Sequence, residues 1–341
     1  MRNPHKKNFI LFSGMGAAGT IAALGLITIS STACTFTDKG MTRMLDDNCT
    51  TDVTIFIPDG MTLDGRNHTI NAVDPASGHF VGSVVQNAGT SAHVKNLRIT
   101  ASNLSNACDA GGDRLRGIMF QGASGSIAHN TVHNINQGAS GCQEGNAIEV
   151  RNEPFDGTHP NTQTVEVAHN TLTAWQKTGI VANGDVDVNI HHNAVSSSAT
   201  QPNLAANSIQ LGFGAAGTVE QNIVSGNQWC GPSEFVATAL LLFQPSDGVT
   251  IKQNNIGGNS DVGIYGLGNA LTVDNNKVFD DDKIADCNQF DYDIGIGNYG
   301  DPSITSYFTN NKVEGFDPLY DGVVGGGNKG IPGKQPGQEF F

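Results

Sequence analysis

Apolar positions recur along this chain in two short units. The first reads apolar-x-x-Asn-x-apolar. It occurs at Ile127-Asn130-Val132, Val167-Asn170-Leu172, Ile190-Asn193-Val195, Val219-Asn222-Val224, Ile251-Asn254-Ile256, Val273-Asn276-Val278 and Phe308-Asn311-Val313. Val94-Leu97-Ile99 keeps the apolar pair and replaces the Asn. The second unit precedes each copy: Gly-Ile-Met-Phe at 117–120, Ala-Ile-Glu-Val at 147–150, Gly-Ile-Val-Ala at 179–182 and Ser-Ile-Gln-Leu at 208–211. It continues at 240–243, 263–266 and 294–297. Alternation over so few residues predicts short strands. Successive asparagines lie 40, 23, 29, 32, 22 and 35 residues apart, so the basic unit is about 22 residues with loop insertions.

A strand, a turn, a strand and an Asn turn in constant order predict a parallel β-solenoid. One coil cannot bury its own apolar face, whereas coils stacked at about 4.8 Å build a continuous core. Equivalent asparagines then sit above one another, where their amides bond along the stack. Asn also tolerates the left-handed backbone of a tight corner. The repeat is therefore read as structural, not catalytic.

The chain resembles the right-handed parallel β-helix proteins of the pectate-lyase-like superfamily over residues 50–316. Thr54-Ile55-Phe56-Ile57-Pro58-Asp59-Gly60, followed by Leu63-Asp64-Gly65, is similar to the first coil of such proteins. The resemblance implies an all-β, right-handed parallel β-helix of about ten coils with an N-terminal cap. The expected organisation is an export signal over 1–33, a cap over 34–52, the β-helix over 53–324 and a flexible tail over 325–341.

Composition agrees with a β-rich exported protein. Gly is 43 and Asn 34 of 341 residues, and both are poor helix formers. Arg2, Lys6 and Lys7, the apolar stretch from Phe9 to Ile29 and the small residues Ser31-Thr32-Ala33 have the layout of a cleavable signal. Cys34 would then be the first mature residue and a candidate lipid anchor, the one route to a membrane. Secretion or attachment to the cell envelope is the expected location. The net charge of -14, with no cluster of Lys and Arg after residue 7, argues against nucleic acid as a partner. Six cysteines in an exported chain suggest disulfides, and Cys108–Cys142, Cys34–Cys49 and Cys230–Cys287 are the expected pairs.

Candidate chemistry lies on the outer face of the second unit. With Ile118, Ile148, Ile180, Ile209, Leu241 and Ile264 pointing in, one outward column is Met119, Glu149, Val181, Gln210, Leu242 and Tyr265. The next is Gln121, Arg151, Asn183, Gly212, Gln244 and Leu267. Amides, charges and aromatic rings on one stripe suit an extended polysaccharide. Glu149 and Arg151 are its charged centre, with Lys177 beside them as a third candidate catalytic group. Gln121, Asn183, Gln210, Gln244, Tyr265 and Trp175 are candidate sugar contacts, and Trp175 also reads as a packed turn aromatic. Asp109, Asp113, Arg114, Arg116, Glu153, Asp156 and His159 lie in nearby loops. The same residues would also serve as an ordinary surface ion pair.

No metal or cofactor signature is present. Asp280-Asp281-Asp282 with Asp291 and Asp293 could take calcium, and His129 and His191-His192 fall in Asn turns as corner residues. The Asn-Thr-Asp and Arg-Ile-Lys set of polygalacturonases, the Arg-x-Pro-x-x-Arg of pectate lyases and the Asp-Pro-His of alginate epimerases are all missing. Two functions remain: a polysaccharide-binding protein without a catalytic motif, or a lyase, hydrolase or epimerase acting on an anionic glycan.

Overall fold

The computed structural model describes residues 33–153, 161–198, 204–281, 287, 290 and 292–333. All but the last residue of the expected export signal lie outside this set. The described strands form three sheets of ten, eleven and eleven strands, in which, apart from an N-terminal hairpin, each strand pairs with strands of the preceding and following coils. One coil illustrates the path. Arg116–Gln121 lies in sheet 1, Ser124–Ala128 in sheet 2 and Thr131–His133 in sheet 3. The chain then returns to sheet 1 as Asn146–Asn152, in parallel register with Ile118 opposite Ile148. Among the described residues the one helical element is the 3₁₀ turn Gly111–Asp113.

The core is a stack of aliphatic columns. In sheet 1, Ile118, Ile148, Ile180, Ile209, Leu240, Ile264 and Ile296 are each 0% exposed and lie in register on adjacent coils. Burying one such side chain is worth about 1.5–3 kcal/mol. The residue before each of them is small: Gly117, Ala147, Gly179, Ser208, Ala239, Gly263 and Gly295. The reason is contact. A Cβ on Gly179 would lie 2.5 Å from Val195 Cγ1 and 2.6 Å from the Ser208 carbonyl oxygen.

The asparagine ladder forms as expected, from one coil to the next. Asn193 Nδ2 donates to Asn222 Oδ1 at 3.0 Å and to the Val167 carbonyl at 2.8 Å. Its own Oδ1 accepts from the backbone and side-chain nitrogens of Asn170 at 2.9 and 3.0 Å. The same pattern runs from Asn130 to Asn311. Two details differ from expectation. The left-handed corner belongs to the residue before each of the seven repeat asparagines, with φ between 54° and 59° at His129, His169, His192, Gln221, Gln253, Asn275 and Asn310, and Asn96 adopts the same corner before Leu97 with φ 50°. The ladder also has another rung, because Asn311 donates to Asn328 Oδ1.

The ends depart from the expected boundaries. Phe36–Lys39 pairs antiparallel with Thr42–Leu45 as a capping hairpin, but Thr42–Leu45 and Cys49–Thr51 already belong to coil sheets. At the other end Lys329–Ile331 pairs in parallel with Lys312–Glu314, so part of the expected tail is a final strand. All three expected disulfides are formed: Cys34–Cys49, Cys108–Cys142 and Cys230–Cys287. The Cys34 sulfur is thus engaged by Cys49, which leaves it no valence for a lipid in this state.

Candidate functional site

A cleft of about 540 Å³ opens on the outer face of sheet 1, over the coils between Arg116 and Phe243. Glu149, Arg151, Lys177, Asn183 and Gln210 all line it. Register explains the convergence, since Arg151 stands opposite Asn183 and Val181 opposite Gln210 on adjacent strands.

Glu149 is 4% exposed and held between two arginines. Its Oε2 accepts from Arg116 Nε and from Asn146 Nδ2, the latter at 2.9 Å, while Oε1 lies 3.6 Å from an Arg151 terminal nitrogen. Arg116 is itself buried and donates to the carbonyls of Gly111, Gly112 and Arg114, which fastens the 3₁₀ turn over the cleft. Glu144 holds the same loop from behind. Its buried carboxylate accepts the amides of Asp109 and Leu115 at 2.8 and 2.7 Å, and burial pushes its pKa up. Arg151 donates to Gln121 Oε1 and pairs with Glu153 at 3.1 Å. Burial pulls its pKa down, against the opposing pull of Glu149, yet guanidinium remains charged at any physiological pH.

Two cations are left over. Arg114 Nε is buried and has no hydrogen-bond partner among the described residues. Lys177 donates to the Ala205 carbonyl, which satisfies one of three ammonium hydrogens. Burial lowers its pKa to about 8, and the Arg114 charge adds to the shift. The described lining thus holds four cations against two carboxylates, Glu149 and Glu153. That is a local excess of positive charge in a chain of net charge -14. Asn146 Oδ1 is likewise buried and unpartnered. Opposite the charges lies an apolar wall of Val181, Leu241, Phe213 and Phe243. The two Phe rings meet edge to face, 5.4 Å between centroids.

Several expected contacts fall elsewhere. Trp175 is 0% exposed and donates Nε1–H to the Ser196 carbonyl at 3.1 Å, so it is a core residue and cannot reach a ligand. Gln244 leaves the outer column. Leu240 and Leu242 are the inward pair at 0% exposure, so Leu241 faces Gln210 and Tyr265, and Phe243 takes the place expected of Gln244. Gln244 instead sits at a left-handed corner with φ 51°. Gln121 does not line the cleft but braces Arg151. Tyr265 lies beyond the cleft on the same sheet, its ring 4.8 Å from that of Tyr299. Met119, in the outward column, is 1% exposed and therefore covered. Asp109 turns away to His79 at 2.9 Å. Asp156, His159, Asp282 and Asp291 lie outside the described residues. Asp293 accepts the Asp317 amide at 3.0 Å. Sequence reasoning missed Asn146, Asn207, Phe213 and Phe243 as lining residues.

The right-handed β-helix family model matches residues 116–328, and the chain belongs to that family. Among solved structures the Dettilon tailspike protein is similar, with 13% identity and a TM-score of 0.43 over 85% of this chain. The match covers 61% of the tailspike chain. Comparison with curated protein sequences returns no match.

Proposed function

We propose that this protein binds an anionic polysaccharide along the outer face of sheet 1, outside the cell or in its envelope. The observation that carries this reading is the surplus of positive charge in the cleft, where Arg114, whose buried Nε has no hydrogen-bond partner among the described residues, stands beside Lys177. A buried guanidinium N–H without an acceptor is costly unless a ligand supplies one, and a carboxylate or sulfate does so. Phe213 and Phe243 offer apolar ring surface to sugar rings, while Asn183 and Gln210 offer amides to hydroxyls. Three disulfides fit an oxidising compartment.

Binding is favoured over hydrolysis because the Glu149 carboxylate is committed to an ion-pair network with two arginines. Its Oε2 is taken by Arg116 and Asn146, and its Oε1 faces Arg151. One observation supports elimination as a second reading. Lys177, with a pKa of about 8, is partly neutral near physiological pH and would serve as a base beside the arginines.

Calorimetric titration with uronate-containing and neutral polysaccharides tests the first reading. Arg114→Gln and Arg151→Lys are each expected to weaken uronate binding about tenfold, the scale of one charged hydrogen bond, and to leave neutral binding unchanged. Equal affinity of wild type and both variants for every glycan would overturn it. Ultraviolet absorbance from unsaturated product, abolished in Lys177→Met, would establish the second reading.

A further inference from the structure

The corner that precedes each ladder asparagine has a second use. Histidine occupies it on three successive coils, as His129, His169 and His192, where the following coils have Gln221, Gln253 and Asn275. Coil stacking brings the rings face to face. Centroids lie 4.8 Å apart for His129 and His169, and 5.0 Å apart for His169 and His192. His191, ending the strand Val186–His191, adds a fourth imidazole edge-on to His169 and His192 at 5.7 and 5.1 Å. The ladder does not need these rings, because amide side chains fill the corner elsewhere.

We propose that His169, His191 and His192 form a binding site for a divalent transition-metal ion of the zinc type, with Glu166 orienting His191. The three donor nitrogens lie within 4.8 Å of one another. His191 Nδ1 and His192 Nδ1 are 2.9 Å apart, and His191 Nε2 is 3.1 Å from Glu166 Oε1. A carboxylate that accepts from Nε2–H fixes the tautomer with its lone pair on Nδ1, the nitrogen that faces His192. This is the carboxylate–histidine pair that commonly supports a metal ligand. A tetrahedral ion with bonds of about 2.0–2.1 Å holds its donors roughly 3.3 Å apart. His169 and His192 are exposed, which leaves their side chains room to rotate toward that spacing. Three imidazoles suit zinc, copper or nickel and do not suit calcium or magnesium, and the fourth position is left to water or a ligand atom.

Untagged protein titrated with zinc chloride is expected to bind a single ion per chain, and magnesium chloride to give no heat. His169→Asn and His192→Asn keep the backbone corner, because Asn275 and Asn310 adopt the same φ. Each should weaken zinc binding at least tenfold. Glu166→Gln should weaken it about tenfold through the lost orientation. His133→Gln, on a strand of sheet 3, should leave the titration unchanged. No zinc binding by the wild type would overturn the site. So would zinc binding that persists in a His191→Gln, His192→Asn double variant, which would mean that the two rings only hydrogen-bond to each other.

Discussion

Two sets of buried polar side chains run up this solenoid, and they are finished differently. In the ladder every amide is closed on itself: Asn193 gives its N–H groups to Asn222, Val167 and His191 and receives two from Asn170. In the cleft the bonds do not close, since Arg114 Nε and Asn146 Oδ1 are buried without a partner among the described residues. Buried polar groups in folded proteins are nearly always satisfied, so an exception calls for a cause outside the packing. Saturated polar groups specify the coil; unsaturated ones specify what the coil receives. The cleft is not simply loose, however. Its floor, from Glu149 through Arg116 to the 111–114 carbonyls, is as closed as the ladder.

The largest expected effect comes from that floor. Glu149→Ala leaves the Arg116 guanidinium, 1% exposed, without its counter-charge. Breaking one partner of a buried pair costs about 3–5 kcal/mol. Glu149→Gln retains an acceptor and should cost clearly less. Thermal unfolding of the two variants checks this. A melting temperature unchanged in the Ala variant would show that the three backbone carbonyls suffice for Arg116.

Next in size is the ladder itself. Asn193→Ala removes one rung and strands groups above and below it, at about 1–3 kcal/mol for an unsatisfied buried partner. Asn183 bears the same side chain on the outer face, where it meets Gln210 at a marginal 3.5 Å. Asn183→Ala should stay within about 0.5 kcal/mol. Equal destabilisation by the two would erase the distinction between a closed and an open polar column.

The two regions were also unequally legible in the sequence. The ladder repeats a six-residue pattern, and seven rungs could be read directly. The eighth, Asn328, was hidden because Gly325 and Gly330 stand where the pattern requires apolar residues. At the cleft, alternation correctly brought Glu149, Arg151, Asn183 and Gln210 together. It failed at Leu240-Leu241-Leu242, where three identical residues conceal the phase and a one-residue slip exchanges the two faces. The small residue before each inward position was the missing signal, since Ala239 marks Leu240 as the partner of Ile209. Trp175 stayed open between a sugar contact and a packed turn aromatic for a different reason. Composition marks an aromatic residue as a sugar platform, but only three-dimensional packing reveals that this one lies in the core beneath Gly179. The histidine corner was invisible while His129 and His191-His192 were read singly, because His169 joins them only through coil stacking.

The smallest expected effect concerns pH, and it separates the two regions most cleanly because the ladder has no titrating group. Lys177 is held to about 8, below the usual 10.5, chiefly by burial. Below that pH it is cationic and adds to the attraction for an anionic ligand; above it the charge is lost. Uronate affinity should therefore decline as pH rises from about 7 to 9, although an ordinary surface lysine would remain charged throughout. An anion bound beside the ammonium raises its pKa again, so the decline is bounded at about tenfold per pH unit. Lys177→Arg keeps its charge across the range and should flatten the profile, while Lys177→Met should flatten it at the weaker, high-pH level. Calorimetric titration at pH 7 and pH 9 for the three proteins reads the effect. A decline that persists undiminished in Lys177→Arg would assign the titration to another group and remove Lys177 from the binding face.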